Sequence, residues 1–225
     1  MQLDLTRPTL VITGAWNAAI FSPGWIAKNL FDYPLGAEVP TVQVIGANSD
    51  GPRQIVYMKN MGLRTDGSRV ELFANAGDGE HFERVEAYAV KLMSVLPHTP
   101  IGSMGINFHF VQADASDDLL NRLDTQEGLS QHFQVINSQI KSKFAVDDNY
   151  VCHIERAATD DGKLVVDLNY HFEKFGEVAD RAQKLFGAIS DRLDHAKALL
   201  LALYDLDEYE AVGHDFAEMA DHWGQ

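Results

Sequence analysis

Residues 163–173 alternate apolar and polar side chains at every position but Val165, and the strand is the conformation that sends successive side chains to opposite faces. Leu164, Val166, Leu168, Tyr170 and Phe172 fall on one face, and Asp167, Asn169 and His171 on the other. The preceding Asp160-Asp161-Gly162 is a turn signal, and residues 150–157 before it read as the partner strand of a hairpin. A third strand near 134–144 joins through Asp147-Asp148-Asn149. Such a set must bury its apolar face against another layer.

The same pattern occurs once more. Ile106-Asn107-Phe108-His109-Phe110 repeats in type as Leu168-Asn169-Tyr170-His171-Phe172, which implies neighbouring strands with Asn and His on a common face. Earlier in the chain, residues 9–13, 41–45, 54–59, 68–74 and 101–111 read as strands separated by turn residues such as Asn48-Ser49-Asp50-Gly51-Pro52 and Thr65-Asp66-Gly67.

Three helices supply the covering layer. Ser22-Pro23 is an N-cap followed by proline at the first helical position, opening a helix over 23–31. Phe82, Val85, Ala89, Leu92 and Leu96 recur at intervals of three and four, so 80–96 is an amphipathic helix stopped by Pro97. Val178, Ala182, Leu185, Ile189, Leu193, Ala196, Leu200 and Leu203 extend the same rule over 177–203, a helix on the order of 40 Å long. Its near-heptad stripe suits either the chain's own sheet or a seam with a second copy. A short helix is expected at 116–123. The fold class is therefore α+β: antiparallel sheet in two strand-rich halves, packed against a mid-chain helix and a long C-terminal helix. One domain of 225 residues is expected, with sub-halves about 1–125 and 126–204 and an acidic amphipathic tail at 205–225.

Charge narrows the partners. A formal net charge of −15 repels phosphate backbones, so nucleic acid is not expected. Residues 205–225 hold Asp205, Asp207, Glu208, Glu210, Asp215, Glu218 and Asp221 without a Lys or Arg. No apolar run is long enough to span a bilayer, and the start lacks a signal-peptide pattern, so a cytoplasmic location is expected. The single cysteine, Cys152, has no internal disulfide partner and reads as a small buried hydrophobe.

Candidate chemistry is confined to two places. If residues 150–173 pair as hairpins, His153 and Glu155 share the polar face with Asp167, Asn169, His171 and Glu173, and His109 joins them from the earlier strand. Imidazole and carboxylate together can bind a metal ion or act as general acid and base, which makes His109, His171, His153 and Asp167 the candidate catalytic residues. A half-exposed sheet face is also ordinarily polar, and no HxxxH or HExxH spacing accompanies these residues. In the tail, Val212, Phe216, Met219 and Trp223 lie at helical spacing and form the candidate binding face of a docking helix. His214, Glu218 and His222 would form one row on that helix as candidate metal ligands, although the apolar stripe explains the segment without a metal. Trp16, Trp25 and Tyr33 around Ser22-Pro23 can line a pocket or belong to the core. Walker, dinucleotide-binding and nucleophile-elbow motifs are absent from the sequence, and no cofactor is called for.

Met104-Gly105-Ile106-Asn107-Phe108, Leu164-Val165-Val166-Asp167-Leu168-Asn169 and Leu185-Phe186 together resemble a loose family of uncharacterised bacterial α+β proteins. That resemblance spans about two thirds of the chain, leaves the acidic tail unmatched and implies an architecture but no activity. The sequence favours a non-catalytic interaction protein, such as an adaptor or an antitoxin-like or defence-associated factor, bound to another protein or to a second copy as a homodimer. The alternative is a metal-dependent or general acid/base enzyme using the His/Asn/Asp face.

Overall fold

The structure is a computed structural model and describes residues 1–34, 42–48, 51–58, 61–65, 67–121, 138–147, 150–159, 161–172, 184–206 and 208–213. In chain order the first half contains β1 (Gln2–Asp4), β2 (Leu10–Gly14), α1 (Pro23–Leu30), β3 (Val42–Asn48), β4 (Gly51–Met58), β5 (Met61–Thr65), β6 (Arg69–Ala74), α2 (Gly79–Val95) and β7 (Ile101–Gln112). There follow α3 (Asp117–Asn121), β8 (Ser138–Ala145), β9 (Tyr150–Ala158), β10 (Leu164–Phe172), α4 (Ala188–Tyr204) and β11 (Glu210–Val212). The α+β class holds.

Nine strands form one antiparallel path in the order β3-β4-β5-β6-β2-β7-β10-β9-β8. The central seam is β7 against β10, with Asn107 opposite Asn169 and His109 opposite Asp167, so the two echoed segments are indeed neighbours. β1 lies off this path. It pairs antiparallel with the far end of β7 and parallel with β11, bringing the two ends of the described chain side by side.

Alternation decides the layers. Leu10, Ile12, Val70, Leu72, Ile106, Phe108, Phe110, Val166, Leu168, Tyr170 and Cys152 point to one side and are almost wholly buried. On that side α2 packs on β6 and against α1 and α4, and α4 packs on β7. Ser22 caps α1 by accepting the Trp25 N–H at 3.3 Å, and Asp78 caps α2 by accepting the His81 N–H at 3.0 Å. Burying this many large apolar side chains, each worth about 1.5–3 kcal/mol, is what holds the layers together.

Three expectations change. The helix expected over 177–203 is not continuous: Phe186 and Gly187 form a turn, Gly187 has φ +76°, and α4 starts at Ala188. Glycine enters the left-handed region without a Cβ penalty, so an apolar period of 3.6 running through it concealed the break. Within the described part of that stripe, Leu185, Ile189, Leu193, Ala196 and Leu200 are buried inside this chain, Leu203 at its end is exposed, and Val178 and Ala182 lie outside the described residues. The stripe therefore packs on its own sheet. Trp16 is also core: its indole Nε1–H donates to Ile12 O at 3.1 Å and its ring meets Phe21 edge-on. Trp25 also packs edge-on against Phe21, at 5.4 Å between ring centres. Finally, residues 210–212 are strand rather than the start of a docking helix. No helix among the described residues is long and apolar enough to cross a membrane.

Candidate functional site

The face of the sheet away from the helices is ordered into transverse rows, because cross-strand pairing sets residues of equal parity side by side. One row runs Lys141, Glu155, Asp167, His109 across β8, β9, β10 and β7. Asp4 of β1 extends it, since Leu3 pairs with Phe110 and the next position faces His109. The second row is Lys143, His153, Asn169, Asn107. A third runs Val151, His171, Gly105, Val11, Glu71, Arg64.

Most polar groups in these rows are bonded to one another. His109 Nδ1 bonds Asp167 Oδ1, and its Nε2 lies 3.9 Å from Asp4 Oδ2. The imidazole is only 7% exposed, and Arg7 Nη1 reaches Asp167 from outside at 3.9 Å. Asn169 Nδ2 donates to Asn107 Oδ1. Lys141 Nζ sits 2.9 Å from Glu155 Oε2, whose other oxygen accepts from Gln139. Farther along the face Glu71 takes both Arg64 and Arg69, and the Arg64 guanidinium lies 5.2 Å from the centre of the Phe73 ring.

Of the candidate catalytic residues, the structure joins His109 and Asp167 in one dyad and leaves His171 and His153 apart from it. His171 stands opposite Gly105, four residues along β10 from Asp167, a separation of about 14 Å at the usual rise per residue. His153 is exposed, and its ring centre is 6.4 Å from that of His171. Among the described residues no three His, Cys, Asp or Glu side chains converge as a metal site. In the tail, Val212 is exposed on β11, while Phe216, Met219, Trp223, His214, Glu218 and His222 lie outside the described residues.

Two cavities open where β1, β11 and the end of β7 meet. The first, about 440 Å³, is lined by residues 1–2, 111–114 and 208–210. The second, about 240 Å³, lies on the open face and includes Asp4, Val111, Lys163 and Val212. The sequence offered no local signal for either, because they depend on pairing strands of three residues from opposite ends of the chain.

On the covered side a second polar chain is buried. The Tyr170 hydroxyl lies 2.9 Å from His195 Nδ1, and Cys152 is beside it. Burial pushes the Cys152 thiol up to about 12 and lowers His195, with Arg192 adding to the latter. A thiol so protonated and enclosed is a packing group rather than a nucleophile.

Compared with protein-family models, with curated proteins and with solved structures, the chain matches none of them.

Proposed function

We propose that this protein acts by binding a protein surface across the open face of its sheet, in the first instance that of a second copy, and not by catalysis. The observation that supports this reading is the one-sided covering of the sheet: helices bury one face, and β7, β10, β9 and β8 present rows of half-exposed polar side chains on the other. Lys141 and Lys143 in the first two rows stand against Asp4, Glu155 and Asp167, and Arg7, which reaches Asp167 from outside, brings the charges into balance. In a chain of net charge −15, that face is where a second acidic molecule meets least repulsion.

The dyad argues against an acid/base enzyme. With Nδ1 on Asp167, the atom left to move a substrate proton is Nε2, and it faces the Asp4 carboxylate in a nearly buried ring. A general base must reach the proton that it takes. His109 instead ties β7 to β1 and β10. Sedimentation equilibrium of the wild type and of a Lys143→Glu/His153→Glu variant tests the proposal: a dimer that the variant loses supports it. A wild type that is monomeric at micromolar concentration excludes the second copy.

A further inference from the structure

We propose that His109 is a proton-operated latch on the joint between the chain's two ends. With a proton on each ring nitrogen it ties β1 to β10 through Asp4 and Asp167. When it gives one up, β1 and the β11 strand paired to it open more often. The latch is a property of this chain alone and does not depend on the partner surface proposed above.

Its basis is that both ring nitrogens face a carboxylate: Nδ1 bonds Asp167 Oδ1, and Nε2 lies 3.9 Å from Asp4 Oδ2. A neutral imidazole has one N–H and one lone pair, and only the imidazolium has a donor on each side. In the neutral ring, whichever nitrogen lacks the proton turns a lone pair toward a carboxylate. The ring is 7% exposed, so little water screens that contact. Asp4 is held in position by its other oxygen, Oδ1, which accepts the Thr6 N–H at 2.9 Å.

The charged groups around the imidazole come from three segments: Asp4 of β1, Asp167 of β10, and Arg7 between β1 and β2, whose Nη1 is 3.9 Å from Asp167 Oδ1. Farther out, Glu155 beside Asp167 on β9 is paired with Lys141. Lys163 shares a cavity with Asp4 but is paired with Asp161. Arg7 offsets the charge of Asp167, so Asp4 is the group whose attachment depends on the proton. Histidine is the side chain whose charge ordinarily changes between about pH 5 and 8.

What the latch holds is small. β1 pairs with β7 at two positions and with β11 at three. Leu3 and Leu5 are buried and anchor the segment in either state, so the proton sets how often β1 opens and not whether the chain folds. Two bonds across the joint report on opening: Leu5 N donates to Val212 O at 2.9 Å, and Glu210 N to Met1 O at 3.0 Å. A contact made by the protonated form is present at the lower pH and lost as pH rises.

Hydrogen exchange of the full chain at about pH 5.5 and about pH 8, corrected for the intrinsic rate at each, tests the latch. Protection of the Leu5 and Glu210 amides should fall about tenfold at the higher pH, the scale of one hydrogen bond to a charged group. Amides of the β9–β10 hairpin should not change. Nitrogen-15 spectra of the imidazoles should show His109 losing one of two ring protons over the same range. Asp4→Asn, at a partly exposed position, should make the protection independent of pH, because an amide can donate to the neutral ring or accept from the charged one. Lys143→Glu/His153→Glu should keep the wild-type response, which separates the latch from association with a second copy. Equal protection at both pH values, a His109 that keeps the same protons throughout, a wild-type response in Asp4→Asn, or a response lost in the double variant overturns it.

Discussion

Glu86 on α2 accepts the backbone N–H groups of both Gly187 and Ile189, each at 2.7 Å, so a carboxylate from one helix closes the first turn of another. The first N–H groups of a helix have no partner within it, and α4 has no side-chain cap of its own at Gly187. Glu86 is 1% exposed and supplies that cap from across the core.

This contact predicts a pH effect of definite sign. Burial raises the Glu86 carboxyl above its ordinary value, against the pull of the two N–H donors. A group whose pKa is higher when folded binds more protons in the folded state, so its contribution is full below the unfolded value and is lost as pH rises through the folded one. The stability difference between wild type and Glu86→Gln, followed by urea unfolding, should therefore grow in favour of wild type as pH falls from neutrality toward the ordinary carboxyl range. A difference that stays flat with pH would mean that this carboxyl titrates normally. Glu86→Ala should cost about 1–3 kcal/mol, because it leaves both N–H groups unpaired, and the cost should likewise be larger at acidic than at alkaline pH.

The α4 stripe predicts a contrast between two leucines. Leu193 is 4% exposed and Leu201 is 50% exposed on the same helix. Leu193→Glu should lower stability by several kcal/mol or unfold the chain, because its carboxylate has no partner in the core. Leu201→Glu should stay within about 0.5 kcal/mol of wild type. Urea midpoints for the two variants decide it; a folded, stable Leu193→Glu would place that residue at a surface instead.

What the sequence disclosed depended on range. The β9–β10 hairpin was legible because alternation and the turn at Gly162, with φ +78°, are local signals. The β7–β10 seam was legible from the repeated Asn-x-His pattern, which also placed His109 and Asp167 on one face. β5 was missed because Met61-Gly62-Leu63-Arg64-Thr65 has a glycine and little β-branching, and its pairing with β6 supplies what its own composition lacks. β1 and β11 were missed because three residues carry no periodicity and their parallel ladder joins Gln2 to Glu210. The break at Gly187 is held by Glu86, a hundred residues earlier, and no local reading reaches that far.

Gly105 makes the asparagine row sensitive to a single methyl group. A Cβ there would stand 2.8 Å from Asn169 Nδ2, the atom that donates to Asn107. Gly105→Ala should displace Asn169, break that bond and cost about 1 kcal/mol or more. Pairing it with Asn169→Ala should recover part of the loss in a double-mutant cycle. Full additivity of the two changes would show that the methyl group acts elsewhere.

The central claim concerns which face meets a partner, and a photo-cross-linking residue placed at one position at a time reports on it directly. Positions 143 and 153 lie on the open face, and positions 198 and 201 on the exposed side of α4. The account predicts that irradiating the purified full chain yields a covalent dimer from 143 and 153 and none from 198 and 201. A dimer formed from the helix positions, or no dimer from any of the four, would contradict it.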